Sequence, residues 1–329
     1  MFEWQETAWK AWTPLRERLP HAILLQAGEG WGELDFALSA AQSLLCENPR
    51  ADSSACRSCP ACNWFSQGNH PDFRLLVPES LAIESPEEGA DPGKKKSEQI
   101  RIEQVRDLAG FLAVGTHRSG LRVILVYPAE AMNANTQNAL LKSLEEPPPA
   151  TIFLLVSTQP DRLLPTVRSR CLKFTLPPPQ TEAVLGWLKE QGVEHPEPVL
   201  AAVGGAPLSA LKSVESESDR VAFIKGIRRP RFDPIAVAEA VQRVPLWQVV
   251  GWLQRWSFDL LLARSTGQIR YHLGHERAIS EIAGRCEAAS IAAYLRRLAQ
   301  AKALARHPLN PKLFVEDLLL QYQRLIEQP

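Results

Sequence analysis

The chain has 329 residues, enough for two or three domains that each bury their own core. Hydrophobic residues make up 45% and charged residues 22%, an ordinary composition for a globular protein. Lys plus Arg and Asp plus Glu both number 37, so there is no basic excess of the kind that lets a lone chain grip DNA, and any nucleic-acid role is expected to be shared with partners.

The opening residues, MFEWQETAWKAW, carry no apolar signal-peptide core, and no apolar run approaches the ~20 residues of a membrane-spanning helix. A cytoplasmic location is therefore expected. Six cysteines in such a compartment point to metal binding or burial rather than a disulfide framework. Nine Trp is a high count, with Trp4, Trp9, Trp12, Trp31 and Trp64 all in the first part of the chain.

In chain order, residues 1–20 read as helix. Residues 21–26 (HAILLQ) read as a buried strand running into the glycine-rich turn GEGWG, and residues 34–45 as the following helix. A cysteine cluster comes next, then a second strand at residues 73–77. His70, in the sequence His-Pro-Asp, is expected in the turn before that strand. Residues 78–99, rich in Pro, Gly, Ser and segregated charge, are expected to be a mobile loop. Helix returns at 102–112. A strand at 123–126, an amphipathic helix at 133–144 stopped by three prolines, and strands at 152–156 and 172–175 complete an alternating pattern. That alternation predicts an α/β fold with a parallel sheet covered on both faces. After Pro177, Pro178 and Pro179 everything reads helical, including residues 181–191, 198–203, 245–264, 288–306 and 311–326. Trp247, Trp252 and Trp256 are expected in the core of that region, because helical spacing accounts for them. No internal repeat is present.

Cys46, Cys56, Cys59 and Cys62 give the spacing C-x9-C-x2-C-x2-C. The short spacings let thiolates converge on one ion, and zinc suits a closed all-sulfur tetrahedron. One structural zinc is expected, with no position left for a catalytic water; the plain alternative is four buried thiols. Cys171 and Cys286 are isolated and expected to be buried.

The strand–turn–helix at residues 21–45 has the context of a phosphate-binding loop, whose lysine and hydroxyl hold phosphate and magnesium. Gly30 and Gly32 keep the turn, but Glu33 stands at the lysine position and Leu34 at the hydroxyl position. The strand at 123–126 ends in Tyr127 and Pro128, where a hydrolase needs acids, with Glu130 further on. A carboxylate in place of the lysine repels phosphate, so nucleotide hydrolysis by this chain is not expected.

Residues 138–148 (NALLKSLEEPP) and 153–171 (FLLVSTQPDRLLPTVRSRC) closely resemble the bacterial clamp-loader subunits and, more distantly, the replication factor C family of AAA+ proteins. Ser169, Arg170 and Cys171 match that family's SRC triplet. The four-cysteine insert matches the bacterial branch, and loss of both nucleotide motifs matches its delta-prime type; gamma and tau keep them. The resemblance extends through about residue 215. It implies a RecA-like AAA+ domain (1–175) carrying a zinc module (46–62), a small helical lid (176–214) and an all-α collar (215–329) for oligomerisation. It implies a non-hydrolysing stator in a hetero-oligomer with gamma/tau and delta subunits, which loads the beta sliding clamp onto primed DNA. Arg170 would be an arginine finger for a neighbour's ATP, Ser169 would set its turn and Cys171 would pack behind, with Arg168 the nearest competitor. Leu208 stands at the lid-arginine position and Ser157 at the first sensor position. By inheritance the chain groups with DNA-directed DNA polymerase, a nucleotidyltransferase, although nothing in it resembles a polymerase site. Two other classes remain to be weighed. An autonomous gamma-type motor is opposed by Glu33, Leu34, Tyr127 and Pro128. A zinc-ribbon nucleic-acid adaptor is only weakly signalled, because Arg50, Arg57, Trp64 and Phe65 are offset by Glu47 and Asp52.

Overall fold

The computed structural model describes residues 1–82, 96–117, 120–229, 231–305, 307 and 309–327. They form two compact units, Met1–Gln180 and Thr181–Pro329.

The first unit is built on five parallel strands, β1 (Ala22–Gln26), β2 (Phe73–Leu76), β3 (Arg122–Val126), β4 (Thr151–Ser157) and β5 (Leu172–Thr175), in the order β2-β3-β4-β1-β5. Residues alternate between two apolar layers. Ile23, Leu25, Val123 and Leu125 face Trp9, Trp12 and Phe36, while Ala22, Leu24, Ile124 and Val126 face Leu108, Leu140 and Leu144. Burial on both faces is why the inner strands β1, β3 and β4 are almost wholly apolar, while the edge strands β2 and β5 are partly exposed and carry Arg74 and Lys173. The helices that cover them are α1 (Glu6–Leu15), α2 (Glu33–Leu45), α3 (Pro60–Ser66), α4 (Ile102–Ala113), α5 (Ala134–Glu145) and α6 (Pro165–Arg168). Asn133 caps α5 by accepting from the Thr136 amide at 3.0 Å. Trp12 is fully buried and meets Phe36 and Phe174 edge-on. Burial of an aromatic ring of this kind contributes about 1.5–3 kcal/mol.

The first unit runs past residue 175. The Leu176 amide donates to the Gln26 carbonyl at 2.8 Å, and its side chain is buried with Trp12, so the break falls after Gln180. Of the segment 78–99, residues 83–95 lie outside the described residues. The flanks are tied together: Ser80 N donates to Ser97 O at 3.1 Å, and Glu79 accepts from Ser97 N and pairs with Arg101.

The second unit is helical, with α7 (Thr181–Glu190), α8 (Pro196–Ala202), α9 (Pro207–Ser213), α10 (Glu217–Ile227), α11 (Pro234–Ala240), α12 (Leu246–Thr266), α13 (Glu276–Arg285), α14 (Ala288–Leu304) and α15 (Pro311–Glu327). Its main core gathers Phe223, Trp252, Trp256, Leu298 and Tyr322, and the Trp256 indole donates to the Tyr322 hydroxyl at 2.7 Å. Trp247 departs from expectation: it is 52% exposed. Nine residues at 3.6 per turn place it about 180° around α12 from Trp256, on the opposite face. Asp259 and His272 are buried together. The Asp259 carboxylate accepts from the His272 ring at 2.9 Å and from the amides of Arg270, Tyr271 and His272. No described helix is long and apolar enough to cross a membrane.

Candidate functional site

The glycine turn after β1 leads into the N-terminus of α2, as a phosphate cradle requires. Gly32 has φ +82°, and a Cβ there would lie 2.7 Å from the Phe2 ring. A Cβ on Gly28 would lie 2.3 Å from the Trp31 indole. The loop is therefore packed against its own tryptophan and against the N-terminal segment. Gln5 Nε2 donates to Gly32 O at 2.7 Å and Trp4 Nε1 to Trp31 O at 3.0 Å.

Glu33 does more than repel an incoming anion. Its side chain is 4% exposed and folds back on the loop. It accepts from the Trp31 amide at 3.1 Å and, more loosely, from the Gly30 amide at 3.5 Å. The Tyr127 hydroxyl donates to it at 3.0 Å. A carboxylate thus takes the amide hydrogens that phosphate oxygens would otherwise use. Burial, and then the Glu33 charge, push the Tyr127 hydroxyl well above its ordinary range, so it stays a donor. Leu34 packs into the core beside Trp12 and Phe36. Glu130 is engaged elsewhere, accepting from Thr158 Oγ1 at 2.7 Å and from the Thr158 and Gln159 amides. Ser157 is buried, and its hydroxyl accepts from the Gln159 amide at 3.2 Å.

The Ser169–Arg170–Cys171 turn joins α6 to β5. Ser169 is the C-cap residue of α6 and its hydroxyl donates to Thr166 O at 3.1 Å. Cys171 is buried in the layer with Leu140 and Phe153, and burial pushes its thiol up to about 11. Arg170 is 33% exposed; its Nη1 donates to Thr166 O at 2.9 Å and its Nη2 pairs with Glu145 at the end of α5. Arg168 pairs with Asp161 at 2.9 Å.

The four cysteines come together, their sulfur atoms all within 4.8 Å of one another. Cys46 and Cys59 sulfurs are 4.0 Å apart and those of Cys56 and Cys62 3.9 Å. A tetrahedral ion with metal–sulfur bonds of about 2.3 Å needs sulfur–sulfur edges of about 3.8 Å, so this set could hold a metal ion. Ser53 and Arg57 adopt positive φ to turn the chain inside the module. Amides of Cys56, Cys59 and Cys62 donate to the sulfurs of Cys46, Cys56 and Cys59 at 3.2, 3.3 and 3.4 Å, which orients the ligands. Amide and hydroxyl bonds from Ser58, with the Cys59 amide, bring the Cys56 thiol down to about 6. The module is fastened to α1 by Trp9 Nε1 donating to Asp52 O at 3.0 Å and, more loosely, to the residue after α1 by Arg16 Nη1 donating to Ser53 O at 3.5 Å, while Arg16 Nη2 donates to Ser43 O of α2 at 2.9 Å. His70 lies outside the cluster: its Nδ1 accepts from the Asp72 amide, and its ring packs edge-on against Trp64.

Comparison with known proteins joins these parts. The model of the family described as "DNA polymerase III, delta subunit" matches residues 5–180, more than half of the chain. The delta′ subunit of DNA polymerase III from Pseudomonas aeruginosa is 35% identical, over 99% of this chain and 98% of its own. The chain belongs to the DNA polymerase III delta′ family. The Escherichia coli K12 delta′ subunit is 26% identical over 93% of this chain and 90% of its own. Among solved structures, a DNA polymerase III gamma subunit-related protein from Thermotoga maritima has the same fold, with TM-score 0.50 and 17% identity over 97% of this chain and 99% of its own.

Within this delta′-family chain, three residues of the site carry no sequence motif for the contacts they make. Trp31 and Tyr127 fill the phosphate loop, and Glu145 meets Arg170. Aromatic residues at the two nucleotide positions were the available signal for the first pair. Glu145 is separated from Arg170 along the chain, and only the fold brings the two together.

Proposed function

We propose that this clamp-loader subunit is a non-hydrolysing stator, and that Arg170 is an arginine finger for ATP held by an adjacent gamma- or tau-type subunit. The observation that carries the reading is the occupied phosphate loop: Glu33 takes the amides of Gly30 and Trp31. Catalytic charge is then supplied to a neighbour. When water attacks the neighbour's γ-phosphorus and the bond to the diphosphate breaks, negative charge spreads over the phosphoryl oxygens. A guanidinium carries permanent positive charge and a planar fork of donors suited to those oxygens. Ser169 sets the turn and Cys171 anchors it from behind.

The four thiolates Cys46, Cys56, Cys59 and Cys62 would hold one zinc. Four protein ligands close the coordination shell, so the ion supplies structure rather than a reactive water. With its first boundary moved from 175 to Gln180, the division would run as an AAA+ domain, a lid to about 214 and a collar at 215–329, and the collar is supported by a helical core that draws on residues from Phe223 to Ile326. In the assembly the collar joins this chain to gamma/tau and delta, and the whole loads the beta sliding clamp onto primed DNA. The assembly's setting is cytoplasmic.

The test is reconstitution with the other loader subunits, comparing wild type with Arg170→Ala. A steep loss of ATP turnover in a fully formed complex is expected; unchanged turnover removes the finger. The isolated chain is expected to hydrolyse no ATP, and multiple turnovers by a clean preparation would refute the stator reading.

A further inference from the structure

The geometry points to Glu145 as the positioning residue for Arg170: its carboxylate, with the Thr166 carbonyl, fixes the guanidinium before any nucleotide arrives. The inference rests on the finger reading above. Arg170 Nη2 pairs with Glu145 Oε1, and Nη1 donates to Thr166 O at 2.9 Å. The two contacts come from different helices, α5 and α6, and they restrain the two ends of the fork. Arg has five N–H donors, so two bonds inward leave three for an outside partner. The side chain as a whole is one-third exposed.

The position of Glu145 is itself informative. It is the last residue of α5 and is followed by Glu146 at the C-cap. Acids at a helix C-terminus oppose the macrodipole, so helix stability does not favour this choice. Fold stability gains little from the pair either, since both side chains are substantially exposed. An acid that neither the helix nor the fold requires is accounted for by the arginine it orients. A long side chain held in one arrangement loses less freedom when it meets phosphate, which raises the fraction of neighbours found ready to react. Neither residue transfers a proton. The bond that forms is water oxygen to phosphorus, and the bond that breaks leads to the departing diphosphate.

The experiment uses a reconstituted loader in which the phosphate loop facing this chain is the one active ATPase site. Wild type, Glu145→Gln, Glu145→Asp, Arg170→Ala and Glu145→Gln/Arg170→Ala are compared. Glu145→Gln is expected to lower kcat about 3- to 30-fold with KM for ATP within about twofold, because orientation acts on the transition state. Glu145→Asp is expected to recover part of the loss. The double variant is expected to match Arg170→Ala alone, since a positioning residue has nothing left to position. Wild-type turnover by Glu145→Gln beside a crippled Arg170→Ala overturns the positioning role and leaves the finger standing. Wild-type turnover by Arg170→Ala overturns both. An additive loss in the double variant also overturns it, by showing that Glu145 acts through something other than Arg170.

Discussion

Glu33 and Arg170 are single charges in the same unit, and they have opposite situations. Glu33 is buried, and backbone amides and the Tyr127 hydroxyl surround its carboxylate. Arg170 is partly exposed and held by one carboxylate and one carbonyl, with donors to spare. A buried charge commits its partners, because leaving either side unpaired is costly. An exposed pair commits little and can be exchanged for a better one. The phosphate loop is closed by the chain's own side chains, while Arg170 is only loosely committed within its unit.

The sharpest way to break this contrast is Arg170→Ala. It should cut the neighbour's turnover by about 10³ or more, the range seen for arginine fingers. Its own melting temperature should barely move, because surface substitutions stay within about 0.5 kcal/mol. A large fall in stability would mean that Arg170 is structural, like Glu33. Next in size is the metal. Elemental analysis should find about one zinc per chain, and Cys59→Ser should lose it and expose the module to protease. An intact, protease-resistant Cys59→Ser chain without metal would reduce the cluster to four packed thiols.

Glu33→Ala is the mirror of the arginine variant. It should cost about 1–3 kcal/mol in urea unfolding, because it strands the Trp31 amide and the Tyr127 hydroxyl. No loss would show the loop to be loosely held, and the contrast would fail. The smallest effect tests the same logic in the helical unit. Burial alone would raise the Asp259 carboxyl, but bonds from His272 and the nearby amides outweigh it and hold the group below its usual range. Burial lowers His272 below the ordinary histidine value, against the pull of Asp259. In both cases the unfolded chain binds more protons, so stability is present at neutral pH and falls on acidification. The histidine part begins to be lost below about 6.5 and the carboxylate part below about 3.9. Thermal melts at pH 7 and pH 5 should show a modest decline that His272→Asn reduces; equal declines would remove the pair from the account.

The inner strands were legible because burial on two faces leaves short apolar runs such as VILV and IFLLV between turn signals, and the long helices because their apolar residues recur at helical spacing. The cysteine spacing gave the module, and Glu33 with Leu34 gave the loss of the lysine and hydroxyl. Harder to read was what Glu33 does in their place. A carboxylate beside glycine amides can repel a ligand or become one, and only the fold-back of its side chain decides. Trp247 went the other way for a geometric reason: spacing from Trp256 of two and a half turns puts it on the far face of α12. Helix α3 lies inside the cysteine cluster, where metal-ligand spacing masks helical period. Its cue was local: Cys59 as N-cap, followed by Pro60.

Helix α1 has a second consequence. Its ten residues make a rod of about 15 Å, tied to the cysteine module through Trp9 and the adjoining Arg16 and headed by the Phe2–Gln5 cover on the glycine turn. Anything that displaces one end acts as a lever on the other. A bulky tag fused ahead of Met1 would therefore disturb both places at once.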